Sequence, residues 1–204
     1  MTNVFYMDTA LLPDPREGGL SSELSAARLI KAVRLLSLEK RKESAGTGLL
    51  LARILPRYFA SAEEVYADAR GKLLHPRLFL SLAHGGGMAV LAVGELPVGC
   101  DVEKLSRVRE GVVRRFSKEE RAFVEEAGAA ERARAFYRIW TGKESYLKMT
   151  GEGLSAWDEV EISPTGRVVR AGREQPVRIV WKEAGEHLLA VCGREEAAFF
   201  KAAP

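Results

Sequence analysis

The stretch "LFLSLAHGGGMAVLAVGELPVGCDVE", residues 78–103, decides the fold class. It contains three apolar runs, at residues 78–83, 88–93 and 98–103. Three consecutive glycines separate the first two runs, and a Gly-Glu-Leu-Pro segment separates the last two. Short apolar runs bounded by turn residues predict strands, and short turns join antiparallel neighbours. We therefore expect an antiparallel meander in the middle of the chain.

Helical patterns flank this meander on both sides. The predicted helices cover residues 21–43, 44–55, 61–69 and, in the second half, most of 107–150. Ser117 and Glu120 have the spacing of a capping box, so one helix should begin there and another should follow over 130–149. Further short strands are expected at residues 3–7, 157–162, 177–182 and 187–192.

Helices followed by short strands occur in both halves of the chain. This order predicts an α+β fold with two similar-sized halves, residues 1–100 and 101–204. Each half should carry a small antiparallel sheet packed on helices. A half of this length is long enough to bury a small core.

The composition is that of a globular protein. Hydrophobic residues make up 47% of the chain and charged residues 29%. No apolar run approaches the roughly 18 residues that span a bilayer, and the N-terminus does not resemble a secretory signal. We therefore expect a cytoplasmic protein without a membrane partner. Its two cysteines, Cys100 and Cys192, should be reduced.

Positive charge is concentrated in residues 28–57. The net charge of +3 is too small to indicate nucleic-acid binding, but this segment has eight Lys or Arg residues and two Glu. Such a segment is either a solvated helix face or a surface for a phosphate-bearing ligand or an acidic protein. The residues alone leave both interpretations open.

Two carboxylates, Asp101 and Glu103, stand in the last of the three apolar runs. Alternate residues of a strand point to the same face and lie about 6.6 Å apart. Two acids held in this way repel each other and need a cation between or beside them. The cation could be a basic side chain or a metal ion, and the pair alone does not decide between them.

A second cluster lies in "FYRIWTGKESYLK", residues 136–148. Phe136, Trp140, Glu144 and Lys148 are spaced by four, so they form one slanting stripe on a helix. Glu144 would then present a third carboxylate from a rigid element. The simple alternative is a Glu144–Lys148 ion pair on a solvated helix face, but that would not explain the tryptophan on the same stripe.

Together, Asp101, Glu103 and Glu144 would make a site of oxygen ligands only. Such ligands suit Mg²⁺, which takes its remaining ligands from water and substrate phosphates. A carboxylate-held Mg²⁺ beside lysines is suited to chemistry at a phosphate.

These two motifs resemble the signatures of the 4′-phosphopantetheinyl transferase superfamily, and their arrangement resembles its Sfp type. The family pattern is Gly-hydrophobic-Asp-hydrophobic-Glu followed, some forty residues later, by Trp-x-x-Lys-Glu-x-x-x-Lys. The matching residues here are Gly99, Asp101, Glu103, Trp140, Lys143, Glu144 and Lys148. Further similarity lies in "FSKEE" at 116–120, in "GEGL" at 151–154 and around Gly71, Lys72 and His84.

The resemblance implies a fold and an activity. It implies two α/β subdomains related by pseudo-twofold symmetry, with coenzyme A bound in the cleft between them. It implies an enzyme, a holo-[acyl-carrier-protein] synthase, which moves 4′-phosphopantetheine from coenzyme A to a serine of an apo carrier protein. Adenosine 3′,5′-bisphosphate would be released. The chain length then suggests a monomer, because the two halves already form the cleft.

The resemblance also implies roles for individual residues. Mg²⁺ would be held by Asp101, Glu103 and Glu144. Glu144, directly or through a water, would accept the proton of the serine hydroxyl, and Lys148 would stabilise phosphate charge. The residues expected to contact coenzyme A are Lys40, Arg41, Lys72, His84, Lys143 and Lys148. An acidic acyl or peptidyl carrier protein would be attracted by exposed arginines such as Arg114 and Arg115.

The sequence departs from the family pattern at a few positions. Ser81 and Ala83 stand where the family usually has Asn and Ser, Leu73 replaces a proline, and Cys100 takes an Ile or Val position. The changes at 81 and 83 motivate an alternative, a catalytically silent module that binds coenzyme A or a carrier protein. A Mg²⁺-dependent phosphohydrolase would share the same residues. The sequence gives no indication of which carrier protein is served, or of what Glu120 does.

Overall fold

The computed structural model describes every residue from Met1 to Pro204 as two main sheets with helices packed on them. The strands are β1 (Thr2–Asp8), β2 (Tyr66–Ala67), β3 (Leu73–Leu74), β4 (Phe79–Gly85), β5 (Met88–Gly94), β6 (Gly99–Lys104), β7 (Val160–Ile162), β8 (Arg167–Arg170), β9 (Arg173–Ala184), β10 (His187–Gly193) and β11 (Ala197–Lys201). The helices are α1 (Ala26–Val33), α2 (Leu38–Ile54), α3 (Glu110–Val113), α4 (Lys118–Glu126) and α5 (Arg132–Thr150). Short 3₁₀ turns cover Pro15–Glu17, Leu55–Tyr58, Ala62–Glu64 and Gly153–Glu159.

The first sheet has the strand order β11-β1-β5-β4 and is covered on one face by α2. The α2 helix begins at the N-cap Ser37 and buries a run of leucines, Leu49 to Leu51, in the core that it shares with this sheet. Strand β5 alternates between two cores: Leu91 points towards the helix, and Val90 points to the other side. Both faces of β5 are therefore buried, which explains its unbroken apolar sequence.

The second sheet has the order β6-β10-β9-β8-β7 and is covered by α5. Phe136, Tyr137 and Ile139 of this helix are fully buried in the core that it shares with the sheet. Strand β10, which lies between β6 and β9, again alternates, with Ala190 towards the helix side and Leu189 towards the first sheet.

The two sheets meet along the edge strands β4 and β6. The backbone N–H of Cys100 donates to Oγ of Ser81 at 3.0 Å, and its Sγ donates to the carbonyl oxygen of Ser81 at 3.3 Å. A third buried cluster, which includes Ala83 and Val102, fills the space between the sheets. A Cβ on Gly85 would lie 2.8 Å from the carbonyl oxygen of Val102, so β4 can approach β6 only with glycine there.

The predicted α+β class, with small sheets packed on helices, is confirmed. The capping box of Ser117 and Glu120 is also confirmed at the start of α4, and both cysteines are buried and free. No helix combines the length and the apolar character that crossing a bilayer requires. The division at residue 100 and the pseudo-twofold relation stay predictions. The last strand, β11, returns to the first sheet and pairs in parallel with β1, so that sheet is not purely antiparallel.

Several local predictions were wrong. The three central strands do not form one meander, because β4 and β5 pair with each other whereas β6 pairs with β10. The helix predicted over 21–43 is interrupted before Ser37, which caps a new helix that runs on through residue 44. The helix predicted over 61–69 is only a 3₁₀ turn, because Asp68 accepts backbone hydrogen bonds and forms the tip of the β2–β3 hairpin.

Candidate active site

The site is built where β6 lies against α5, and Gly99 allows this close approach. A Cβ at this position would lie 1.9 Å from the carbonyl oxygen of Ser145 and 2.4 Å from the backbone nitrogen of Met149. Any other residue would therefore push the strand away from the helix. Along β6, Cys100 and Val102 point into the core between the sheets. The alternate residues, Asp101 and Glu103, consequently face α5.

Asp101 is buried, with 7% of its surface exposed. Its Oδ1 accepts a hydrogen bond from Nζ of Lys148 at 2.7 Å, whereas its Oδ2 is buried without any hydrogen-bond partner. Burial raises the pKa of Asp101 above its ordinary value, although Lys148 acts in the opposite direction. One oxygen of this carboxylate is thus free to bind a cation.

Glu103 is held by two neighbours. The indole N–H of Trp140 donates to its Oε1 at 3.0 Å, and the guanidinium of Arg109 lies 3.4 Å from its Oε2. Burial raises the pKa of Glu103, and repulsion by Asp101 raises it further. The tryptophan of the predicted stripe is therefore tied directly to the second acid of the strand.

Glu144 lies on α5 one turn after Trp140 and one turn before Lys148. Its pKa is raised to about 7, first by burial and then by repulsion from Asp101 and Glu103, with Lys148 partly offsetting these effects. The mutual influence of these groups indicates that the three predicted carboxylates share one electrostatic environment.

The three carboxylates fit a divalent cation by their chemistry, although they are not arranged as a finished ligand set. The structure brings together no group of three or more His, Cys, Asp or Glu side chains that is ready to hold a metal ion. It does provide a buried oxygen on Asp101 that has no hydrogen-bond partner. It also provides two further carboxylates, Glu103 and Glu144, whose pKa values are raised by burial and by repulsion from neighbouring acids. Oxygen donors of this kind suit Mg²⁺.

A cavity of about 750 Å³ opens beside Glu144 and Lys148 and is lined from both halves of the chain. Glu144 is the only carboxylate among the residues that line it. The basic and imidazole side chains of its lining are Arg28, Lys31, Lys40, Arg70, Lys72, His84 and Lys148. A cavity with this lining fits a ligand with several negative charges.

Two of the cavity residues are fixed by a buried acid, Glu43. Its side chain accepts hydrogen bonds from Nζ of Lys40 at 2.8 Å and from the N–H of Gly87 at 2.9 Å, and it meets Nδ1 of His84 at 3.0 Å. Burial alone raises the pKa of Glu43, but the hydrogen bonds from His84 and Lys40 outweigh it and lower the pKa to about 2. Glu43 is therefore ionised and holds both residues at the cavity.

Comparison with known proteins was consistent with this geometry. The profile of the 4′-phosphopantetheinyl transferase superfamily matches residues 97–192, which begin just before β6 and end within β10. The 4′-phosphopantetheinyl transferase HetI of Nostoc sp. is 32% identical over 167 residues, which are 75% of this chain and 70% of that protein. The chain belongs to the 4′-phosphopantetheinyl transferase superfamily. It is an enzyme of that superfamily.

Two Bacillus subtilis proteins are also similar to this transferase-family chain. The 4′-phosphopantetheinyl transferase ffp is 29% identical over 157 residues, which are 74% of this chain and 70% of that protein. The 4′-phosphopantetheinyl transferase Sfp of strain 168 is 32% identical over 81 residues, which are 39% and 36% of the two chains.

In this transferase, Lys72 lines the cavity but its ammonium is directed to a helix end. Nζ of Lys72 donates to the carbonyl oxygens of Lys148 and Met149, both at 2.8 Å. These carbonyls belong to the last turn of α5, whose C-cap is Gly151 with a φ of 77°. A lysine there satisfies free carbonyls and stabilises the helix end. Lys72 thus connects the β2–β3 hairpin to the helix that carries Glu144.

Arg41 and Lys143 do not reach the cavity, and their predicted contacts with coenzyme A are not retained. The guanidinium of Arg41 is bound to Asp14 at 2.8 Å and to the carbonyl oxygen of Leu36 at 2.7 Å, which ties down the segment before α2. Nζ of Lys143 lies 2.9 Å from Glu120 in the core beneath the second sheet. Neighbours on a helix differ by about 100°, so Lys143 points away from the face that carries Glu144.

The role of Glu120 follows from the same contact. Besides pairing with Lys143, its carboxylate accepts hydrogen bonds from the N–H of Ser117 at 2.9 Å and of Ile162 at 2.7 Å. All its contacts are structural, and they join α4, α5 and β7. Each buried charge of this pair therefore has a partner, as burial requires.

Sequence reasoning missed two residues of the transferase site, Glu43 and Arg109. Glu43 was one of the two acids in the strongly basic segment, and an acid among so many cations is a signal that it could organise them. Arg109 comes six residues after Glu103, and no local pattern indicates that it folds back onto Glu103 and Trp140.

Proposed function

We propose that this chain transfers 4′-phosphopantetheine from coenzyme A to a serine of an apo acyl or peptidyl carrier protein, with Mg²⁺ as cofactor. The serine oxygen would form a bond to the β-phosphorus of coenzyme A, and the bond from that phosphorus to the bridging oxygen would break. Adenosine 3′,5′-bisphosphate would leave, and the serine proton would pass to a base of the enzyme.

The observation that carries this proposal is the position of the basic cavity next to the acids of β6 and α5. Lys148 connects the cavity with these acids, since it lines the cavity and its Nζ donates a hydrogen bond to Asp101 at 2.7 Å. A ligand with several phosphates in the cavity would place one of them beside Lys148 and Glu144. This supports chemistry at a phosphate of the bound ligand rather than binding alone.

The side chains suggest a division of roles. Mg²⁺ held by Asp101, Glu103 and Glu144 would neutralise charge on the pyrophosphate of coenzyme A. Lys40 and His84, both fixed by Glu43, would hold phosphate groups at the opposite wall of the cavity.

Proton transfer falls to Glu144 in this proposal. As the only carboxylate in the lining, it could reach a hydroxyl that enters the cavity, directly or through one water. Lys148 would stabilise the charge that develops on the transferred phosphate. Lys72 would act indirectly, by holding the end of the helix that carries both residues.

The protein partner would be an acidic carrier protein. Arg114 is exposed, whereas Arg115 is partly engaged by Asp158 at 3.1 Å, so Arg114 is the stronger of the two predicted docking residues. Exposed arginines would guide an acidic partner by long-range attraction. The monomeric state and the cytoplasmic location stay predictions from the sequence.

Mass spectrometry of a carrier protein tests the proposal. Apo carrier proteins from fatty-acid, polyketide and peptide synthesis are incubated separately with the enzyme, coenzyme A and Mg²⁺. A gain equal to one phosphopantetheine group on at least one carrier is expected, and EDTA should prevent it. Coenzyme A binding without a mass gain on any carrier would favour the silent binding module. Release of phosphopantetheine to water without a carrier would favour the phosphohydrolase.

A further inference from the structure

The ring of Trp140 is fixed by its neighbours. Phe136 stacks against it with ring centroids 6.3 Å apart, and Trp157 packs on it at 5.0 Å. The guanidinium of Arg109 covers the ring at 5.1 Å from its centroid. A large ring held in this way keeps one orientation, so its N–H points in one direction.

The atom that this N–H meets is Oε1 of Glu103, at 3.0 Å. A glutamate has three side-chain torsions, and the last one is broad, so a carboxylate at a strand end needs a donor to fix its plane. The indole supplies that donor. Oε2 is left on the other side, where Arg109 approaches it at 3.4 Å.

We propose that Trp140 is a positioning residue whose indole N–H holds Oε1 of Glu103, so that Oε2 is presented to the divalent cation. This inference rests on the proposed function, because it takes Glu103 as a ligand of Mg²⁺. Partners that orient a metal ligand contribute about 10- to 100-fold to metal affinity. Trp140 would therefore affect binding of the ion without contacting it or coenzyme A.

Trp157 provides a matched comparison within the same aromatic cluster. It is fully buried and touches Trp140, but its indole nitrogen has no hydrogen-bond partner. Replacing either tryptophan by phenylalanine removes an indole N–H and a similar volume of ring. Only the change at Trp140 removes a hydrogen bond to a carboxylate of the site.

The test compares Mn²⁺ binding to the full-length protein, Trp140→Phe and Trp157→Phe. Free Mn²⁺ is measured by electron paramagnetic resonance at fixed coenzyme A concentration, and coenzyme A binding is measured separately without metal. We expect Trp140→Phe to weaken Mn²⁺ binding about tenfold, with coenzyme A binding unchanged. Trp157→Phe should leave Mn²⁺ binding within about twofold of the unmodified protein, since its N–H holds no ligand.

Equal Mn²⁺ affinity for the unmodified protein and Trp140→Phe would overturn the positioning role and leave the proposed function intact. Equal weakening in both variants would also overturn it, since it would indicate loss of packing alone. No Mn²⁺ binding by the unmodified protein would overturn the metal site and the positioning role together.

A second measurement follows the indole N–H groups of the unmodified protein, so it does not depend on the folding of a variant. The protein has three tryptophans, so the indole N–H resonances can be resolved by nuclear magnetic resonance. Addition of Mg²⁺ with coenzyme A should shift the Trp140 resonance and leave that of Trp157 in place. A Trp140 resonance that does not move while Mg²⁺ binds would overturn the proposal.

Discussion

The ammonium of Lys148 lies 2.7 Å from Oδ1 of Asp101, while Oδ2 of the same carboxylate is buried without a partner. One oxygen thus has a protein cation and the other has none. If the free oxygen binds Mg²⁺, Asp101→Asn should lower transfer activity by at least about 100-fold, because metal stabilisation of charge supplies several kcal/mol. The rate of carrier modification at saturating coenzyme A measures this.

Glu186→Gln is the matched control for Asp101→Asn. Glu186 is 76% exposed and pairs only with Lys104 on the surface, so its change should leave the rate within about twofold. An Asp101→Asn variant as active as Glu186→Gln would contradict a role of Asp101 in metal binding.

Gly99→Ala should destabilise the protein and reduce its activity. A Cβ there would lie 1.9 Å from the backbone of α5, so strand and helix must separate. Overpacking of this kind costs about 1–3 kcal/mol or more, and it would displace Asp101 from Lys148. Urea unfolding and the transfer rate should both report the change.

Gly128→Ala is the control for Gly99→Ala. A Cβ at Gly128 would meet no atom within 4 Å, so this change should alter the free energy of unfolding by less than about 0.5 kcal/mol. Unaltered stability of Gly99→Ala would mean that β6 does not need its close contact with α5.

The sequence predicts which residues of the candidate site share a face more directly than it predicts which strands pair, for a physical reason. Asp101 and Glu103 share a face because a strand alternates, and Glu144 and Lys148 share a face because a helix turns every 3.6 residues. Both rules depend only on the spacing of residues within one strand or one helix. The sheet pairing is not local: β6 finds its partner in β10 across the whole helical section, and its apolar pattern fits either sheet.

The positions of Lys143 and Arg41 outside the cavity lining have a different origin. Each lies beside a residue that lines the cavity, Glu144 or Lys40, and both were assigned from the family resemblance. The helix places Lys143 about 100° from Glu144, which sends it into the core to Glu120. For Arg41 no sequence rule indicates that Asp14, 27 residues earlier, takes its guanidinium.

Glu120→Gln should lower the free energy of unfolding by about 3–5 kcal/mol, because it leaves the charge of Lys143 buried without a counter-ion. Both side chains are almost fully buried, at 2% and 1% exposure. Thermal unfolding checks this against Glu119→Gln, an exposed neighbour on α4 that should have little effect. Equal stability of the two variants would show that the buried ion pair does not hold α4 to α5.

Glu43 should make stability depend on pH in the acid range. Its pKa is lowered to about 2 in the folded protein, from 4.5. Its stabilising contribution is therefore complete above pH 4.5, and it is lost as the pH falls from there towards 2. The shift corresponds to about 3 kcal/mol at neutral pH. Unfolding of Glu43→Gln and the unmodified protein should differ most near pH 7 and converge near pH 2.

Glu39→Gln is the control for this pH series. Glu39 is exposed one turn earlier on α2 and takes no part in the cluster with Lys40 and His84. Its stability curve should follow that of the unmodified protein. A difference for Glu43→Gln that stays constant from pH 7 to pH 2 would contradict the assigned ionisation of Glu43.

Arg109→Gln should tighten Mn²⁺ binding rather than weaken it. The guanidinium of Arg109 lies 3.4 Å from Oε2 of Glu103, the oxygen that is proposed to face the metal, and an ion bound there would displace it. Its side chain is 47% exposed, so solvent screens the pair and the gain should be small, about two- to fivefold at low salt. Electron paramagnetic resonance of free Mn²⁺ with coenzyme A present measures the affinity.

The salt dependence of Mn²⁺ affinity distinguishes loss of the competing charge of Arg109 from a change in the orientation of Glu103. The difference between Arg109→Gln and the unmodified protein should shrink as salt rises to about 0.5 M, because screening weakens the competing cation. Arg107→Gln, an exposed arginine two residues away, should change Mn²⁺ affinity less at every salt concentration. Weaker binding by Arg109→Gln would show instead that Arg109 helps to orient Glu103, as Trp140 is proposed to do.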